Sequence, residues 1–243
     1  MVITSYGAKD SGESKFVIVA PHAAGDDINT GPISNNIAYL LKAYRVVNNE
    51  FVKPRNSRAI SDGSNVEDFN RLSWNRNRYV WDGKKSEMSE FYNDIRAYAE
   101  DARRFGHDRR AVVAYIHGME DRPDFLAIDI GCGLKYDGTS LKGTNGTTDK
   151  HPEAGANTGV VRGTRQEMRQ LQADFDRRLA SVDQRFRTGI GEYKAAWSRS
   201  NGIQWHAGTY DASFQLEINK TLRDNPEGTS RIIADALRRI YSQ

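Results

Sequence analysis

The sequence predicts an α/β fold: a three-layer sandwich with a mostly parallel central sheet, in a single domain over 1–243. Short apolar runs rich in β-branched residues, Phe16–Ala20, Ala111–Ile116, Phe125–Ile130 and Phe214–Ile218, are spread along the chain, as buried strands are. Between them lie segments whose apolar residues recur at helical spacing. Helices alternating with apolar strands cover both faces of a parallel sheet. The length, 243 residues, suffices for a sizeable core.

Each element has its own signal. The run ending at Ala20 is the first core strand. ISNNIAYLLKAY (33–44) is amphipathic, with Ser34 or Thr30 as its cap. RVVNN (45–49) reads as a short strand, and 53–67 as loop, being dense in Pro, Gly, Ser, Asn and Asp. A helix is predicted over 89–106, closed by Gly106. AVVAYIHG (111–118) is the strongest buried strand, and FLAIDIG (125–131) is another. From Gly131 to Gly163 the composition turns to Gly, Thr, Asn, Asp and Lys, which predicts a long mobile loop that either covers a site or frays. Residues 164–187 are helical by period, with Met168, Leu171, Phe175, Leu179 and Val182 on one core-facing stripe. SFQLEIN (213–219) is a strand, and a helix over 230–242 closes the chain. No internal repeat is visible.

Composition excludes several classes of function. The charged fraction is 28% and the mean hydropathy −0.71, but the net charge is only +3, with acids and bases mixed. The pairs Arg103-Arg104, Arg109-Arg110 and Arg238-Arg239 sit in or beside predicted helices with acids nearby. They read as solvated faces, and no nucleic-acid partner is expected. No window approaches eighteen apolar residues, so no membrane span is expected. MVITSYGAKDSGESK at the N-terminus has no basic region followed by an apolar one, so no signal peptide is expected and the location expected is cytoplasmic. The single cysteine, Cys132, excludes a disulfide framework or a Cys-rich zinc module. Flanked by glycines, it reads as a small loop residue rather than a nucleophile.

The stretch VIVAPHAAGD (17–26) carries the chemical question. An apolar strand ends in Pro21-His22, small residues, and then Asp26 and Asp27. In parallel α/β sheets, chemistry gathers beyond the carboxyl ends of the strands. His22 follows one strand, His117 ends a second and Asp129 lies at the end of a third, so all three are expected near one edge. Zinc takes neutral imidazole and carboxylate, with three protein ligands in a catalytic site. His22, His117 and one of Asp26 or Asp27 make a sufficient set, although each histidine alone also reads as an ordinary strand-end residue. In FQLEIN, Gln215, Glu217 and Asn219 share one strand face and Phe214, Leu216 and Ile218 the other. That polar face is either a wet sheet edge or a base offered to a cavity. In FNRLSWNR (69–76), Arg71 beside Asn70 reads either as one of the chain's many surface arginines or as a clamp that holds a carboxylate through two parallel hydrogen bonds. His206 beside Trp205 reads as a packed neighbour and as the substitute ligand should Asp27 fail. His107 reads as a surface residue at a helix end, and His151 falls in the long loop.

In order along the chain, Pro21-His22 with its small turn, Asn70-Arg71, His117-Gly118-Met119 and Gln215-Leu216-Glu217-Ile218-Asn219 resemble the N-formylglutamate amidohydrolase family. The order also resembles the wider zinc carboxypeptidase-like group, including phage-type poly-γ-glutamate hydrolases, over roughly residues 16–223. The chain departs from the amidohydrolases at Ala23-Ala24, where they commonly have serine or glycine, and in an aspartate where they have a longer glutamate ligand. The resemblance implies a zinc carboxypeptidase/phosphorylase-hydrolase-like fold with Zn²⁺ bound by His22, Asp27 and His117. It implies Glu217 as general base and acid, and Asn70 and Arg71 as binders of the substrate carboxylate. Asp26 remains the rival of Asp27 or a carboxylate supporting it, and Asp129 is expected to support the site from behind the ligands. The activity implied is hydrolysis of a C–N amide bond in a small acidic, N-formylglutamate-like substrate. The alternatives are a zinc peptidase or γ-glutamyl hydrolase acting on a peptide-like chain, and a binding protein that keeps the fold without catalysis.

Overall fold

The computed structural model describes residues 1–25, 27–52, 68–70, 73–75, 78–80, 86–136, 141–143, 165–193 and 211–242. Strands β1 (Val2–Thr4) and β2 (Gly7–Asp10) form an N-terminal hairpin, followed by β3 (Phe16–Ala20), α1 (Thr30–Leu41) and β4 (Tyr44–Asn48). A small antiparallel pair, β5 (Ser73–Asn75) and β6 (Arg78–Val80), precedes α2 (Ser86–Ala102), a 3₁₀ turn (Arg103–Phe105) and β7 (Val112–Gly118). Then come β8 (Leu126–Gly131), β9 (Leu134–Tyr136), β10 (Leu141–Gly143), α3 (Arg165–Leu179), β11 (Arg187–Ile190) and β12 (Ala212–Ile218). The short α4 (Lys220–Arg223) and α5 (Pro226–Tyr241) end the chain.

One eight-stranded sheet, in the order β1-β2-β4-β3-β7-β12-β8-β11, organises these elements. Its centre, β4, β3, β7 and β12, is parallel. These strands are apolar on both faces because both are covered. Ile18, Ala114, Ile116, Ile128 and Leu216 pack under α1, α3 and α5, through Ile33, Ile37, Leu171, Phe175, Ile233 and Leu237. Val17, Val19, Val113 and Tyr115 point the other way, onto Met88, Phe91, Tyr92 and Ile95 of α2. These are the three layers that the alternation of strands and helices predicts. None of the helices among the described residues is long and apolar enough to cross a membrane.

Several local expectations need correction. Strand β8 is parallel to β11 but antiparallel to β12, so Asp129 does not end a strand of the parallel set. The predicted helix over 164–187 stops at Leu179. A turn follows in which the Val182 and Asp183 amides both donate to the Leu179 carbonyl, and β11 begins at Arg187. Val182, assigned to the buried stripe, is 54% exposed. Of the stretch expected to be loop from Gly131 to Gly163, the described part contains the antiparallel pair β9 and β10. The loop predicted over 53–67, and residues 137–140 and 144–163 of the loop predicted over 131–163, lie outside the described residues.

Candidate metal centre

His22 sits in the first turn after β3, and the surrounding chain fixes that turn. The side-chain amide of Asn48, at the end of β4, donates to the Pro21 and Phe51 carbonyls. Five residues on, the Asp27 amide donates to the His22 carbonyl at 3.2 Å. The Asp27 carbonyl in turn accepts from Thr30 N at 3.1 Å and Thr30 Oγ1 at 2.7 Å, where α1 begins. The apolar strand therefore delivers the histidine, and the helix start turns the aspartate back towards it.

His117 arrives on β7, on the α2 side of the sheet with Val113 and Tyr115. The two imidazoles meet edge to face, centroids 4.8 Å apart. Oδ2 of Asp27 lies 3.2 Å from Nδ1 of His22 and 3.2 Å from Nδ1 of His117. One ligand atom from each of the three buried residues falls within 4.8 Å of the others. Two imidazole nitrogens and a carboxylate oxygen are the donor set of a three-ligand catalytic zinc site, so the residues present fit a divalent ion.

The electrostatics agree with a preformed cation site. Burial by itself lowers the pKa of His22, yet the hydrogen bonds and charges of Asp27 and Asp68 outweigh it and raise it to about 9. Burial likewise opposes ionisation of Asp27, but His117 and His22 hold its carboxyl well below the usual range. Negative charge collected between two imidazoles attracts a cation, whether proton or metal.

Glu217 stands next to this group. In the sheet it is the direct partner of His117 on one side and of Asp129 on the other. Strand β12 lies between β7 and β8, and Gln215 and Glu217 are 2% and 7% exposed. Their shared face is thus the floor of the site rather than a wet sheet edge. Burial, then the Asp27 carboxylate, push Glu217 up to about 8. Gln215 Nε2 donates to Glu217 Oε1 at 2.7 Å. Gln215 Oε1 accepts from Asn70 Nδ2 at 3.4 Å, so the proposed base and the proposed substrate binder are joined through one buried amide.

Asp68 was not among the residues that sequence reasoning selected. Its Oδ1 lies 2.9 Å from His22 Nε2 and accepts from the Asn70 amide at 2.9 Å. The only signal for it in the sequence is an acid two positions before Asn70-Arg71. Residues 68–70 are held against the α2 layer: Tyr92 Oη donates to the Phe69 carbonyl at 2.5 Å, and the Phe69 ring packs on Phe51 and Phe91.

Other selected residues go elsewhere. Asp129 is buried in the row with Glu217, but its carboxylate accepts from the Glu192 and Tyr193 amides at 3.0 and 2.9 Å. It fastens the turn after β11. Cys132 is buried in the core on the far face of the sheet, and His107 is exposed. Asp26, Arg71, His151 and His206 lie outside the described residues.

No protein-family model matches the sequence, and no curated protein does. Several solved structures are similar in chain path. A gene product from Agrobacterium tumefaciens is 15% identical with a TM-score of 0.46, covering 95% of this chain and 90% of its own. A bacteriophage poly-gamma-glutamate hydrolase is 10% identical with a TM-score of 0.46, over 97% of this chain and 88% of its own. A metallo-carboxypeptidase from Burkholderia cenocepacia is 14% identical with a TM-score of 0.41, over 93% of this chain and 56% of its own.

Proposed function

We propose that this chain is a zinc-dependent amidohydrolase acting on a small, carboxylate-bearing amide of the N-formyl amino acid type. The observation that carries the reading is the convergence of His22 Nδ1, Asp27 Oδ2 and His117 Nδ1 on one buried point. Glu217 supports it as sheet partner of His117. His22, Asp27 and His117 would hold the ion, and Asp68 would keep the His22 proton at Nε2 so that Nδ1 is free to ligate. An ion of this kind makes water more acidic and polarises a carbonyl.

Glu217 then takes a proton from water as the water oxygen bonds to the amide carbon. It returns that proton to the nitrogen as the C–N bond breaks, leaving a carboxylic acid and an amine. Gln215 orients the Glu217 carboxyl, and Asn70 with Arg71 would hold the substrate carboxylate so that the amide carbon faces the water. The acidic, N-formylglutamate-like substrate comes from the resemblance in sequence order. A γ-glutamyl or peptide-like chain is the competing substrate of the same chemistry.

The test joins metal content to turnover. Inductively coupled plasma mass spectrometry on untagged protein should find about one zinc per chain, absent from His22→Ala. Glu217→Gln should retain zinc and lose turnover on whichever member of a formyl, acetyl and γ-glutamyl amide panel the wild type cleaves. Zinc-free wild type after reconstitution, or undiminished turnover in Glu217→Gln, would overturn the proposal.

A further inference from the structure

Arg223, the last residue of α4, is 6% exposed, and its guanidinium donates to main-chain carbonyls from three separate parts of the chain. Nε donates to Ile218 O at 3.0 Å, Nη1 to Ile28 O at 2.6 Å and Nη2 to Met119 O at 3.1 Å. Ile218 directly follows Glu217, Ile28 directly follows Asp27, and Met119 is two residues after His117. The carbonyl of Arg223 accepts from Asn29 Nδ2 at 2.9 Å, which ties the Asp27 turn a second time.

The surrounding sequence makes room for this arrangement and holds it. Gly118 lies against the guanidinium so closely that a Cβ there would sit 2.7 Å from Cζ of Arg223. Helix α4 is capped by Asn219, whose side chain accepts from Leu222 N, and Thr229 Oγ1 donates to the Leu222 carbonyl at 2.6 Å. Burying a cation is costly unless its donors are satisfied. This one spends its donors on the three chain segments that carry Asp27, His117 and Glu217.

We propose that Arg223 is a positioning residue of the metal centre. One rigid, planar group sets the Asp27 turn and the ends of β7 and β12 at fixed distances from one another, so that two ligands and the base meet. The inference rests on the proposed function, which assigns those roles. Lysine cannot substitute fully, because its three donors radiate from one atom and lack the guanidinium fork.

Cobalt(II) binding tests it, followed by visible absorption as Co²⁺ is titrated into metal-free wild type, Arg223→Lys, Arg223→Met, Leu171→Ala and His22→Ala. Thermal melts of each metal-free protein run alongside. Leu171 is buried on the opposite face of the sheet, so its variant reports the effect of lost stability alone. Both Arg223 variants should fold cooperatively, bind Co²⁺ about 10- to 100-fold more weakly and give a shifted absorption band, with Lys closer to wild type than Met. Leu171→Ala should bind as wild type does. Wild-type affinity and spectrum in the Arg223 variants, or equal weakening in Leu171→Ala, would overturn this inference and leave the proposed function standing. A wild type that takes up no more Co²⁺ than His22→Ala would overturn both. Should Arg223→Met fail to fold, Arg223→Lys carries the comparison.

Discussion

Nε2 of His22 lies 2.9 Å from Oδ1 of Asp68 while Nδ1 of the same ring faces Asp27. The imidazole is thus oriented from both sides, with one nitrogen turned to the candidate metal point and the other to a carboxylate. A histidine ligand whose second nitrogen is bound by a carboxylate is fixed in tautomer and is the more basic for it. Asp68→Ala should therefore lower zinc affinity about 10- to 100-fold, measured by competition with a chelator. An unchanged affinity would remove Asp68 from the account.

Gln215 gives a second prediction, one that separates chemistry from metal binding. Its amide donates to Glu217 Oε1 at 2.7 Å and accepts from Asn70 Nδ2 at 3.4 Å. Gln215→Leu keeps the bulk and removes both bonds. A hydrogen bond to a charged group contributes about 1.5–3 kcal/mol, so kcat should fall about ten- to a hundredfold at unchanged zinc content. Steady-state kinetics on the amide that wild type cleaves decides it. Loss of zinc from this variant would show that Gln215 supports the ligands instead.

Of the candidate site, what is legible in the sequence is the strand ends that meet there. His22, His117 and Glu217 each adjoin an apolar run whose length and β-branching mark it as a buried strand, and sheets of this type gather such ends together. Strand direction is not written in a period of two, however. Asp129 joins the Glu217 row because β8 runs antiparallel to β12, not because it ends a parallel strand. Asp68 and Gln215 went unselected because their roles are relations to other side chains, and a sequence shows spacing rather than contact. The short strands β1, β2 and β11 offer three or four residues each, too few for alternation to stand out.

Helix α3 turns that lesson into a measurement. Phe175 and Val182 fall on one helical stripe by spacing, but the helix ends between them, leaving Phe175 fully buried and Val182 54% exposed. Phe175→Ala should cost about 3–5 kcal/mol through the lost contacts and the cavity left behind. Val182→Ala should stay within about 0.5 kcal/mol of wild type. Urea unfolding of the two variants checks the contrast, and a large loss at Val182 would mean that the stripe continues to it in solution.

Asp129 makes the stability of the fold depend on pH. Burial raises its pKa to about 6, against the lowering effect of the Tyr193 and Glu192 amides; the Glu192 charge adds to the rise and Arg122 opposes it. The unfolded chain releases this proton near the ordinary aspartate value of about 3.9. Between those two values the folded state holds more protons, so its stability falls as pH rises. The stabilisation from this group is fully present below about pH 4 and is lost by about pH 6, a change on the order of 2–3 kcal/mol. Glu217, the other buried carboxyl in the row, is raised to about 8, by burial and Asp27 first and by the Asp129 charge only as a lesser cause, so in metal-free wild type and variant alike burial and Asp27 keep it protonated across this window. Asp129→Asn cannot titrate. Metal-free Asp129→Asn should be less stable than wild type near pH 4, where it gives up one acceptor for the two amides, and the gap should narrow steadily towards pH 6. Urea titrations at half-unit intervals would show it, and a gap that widens with pH would mean that Asp129 is ionised in the fold and holds the β11 turn as a carboxylate.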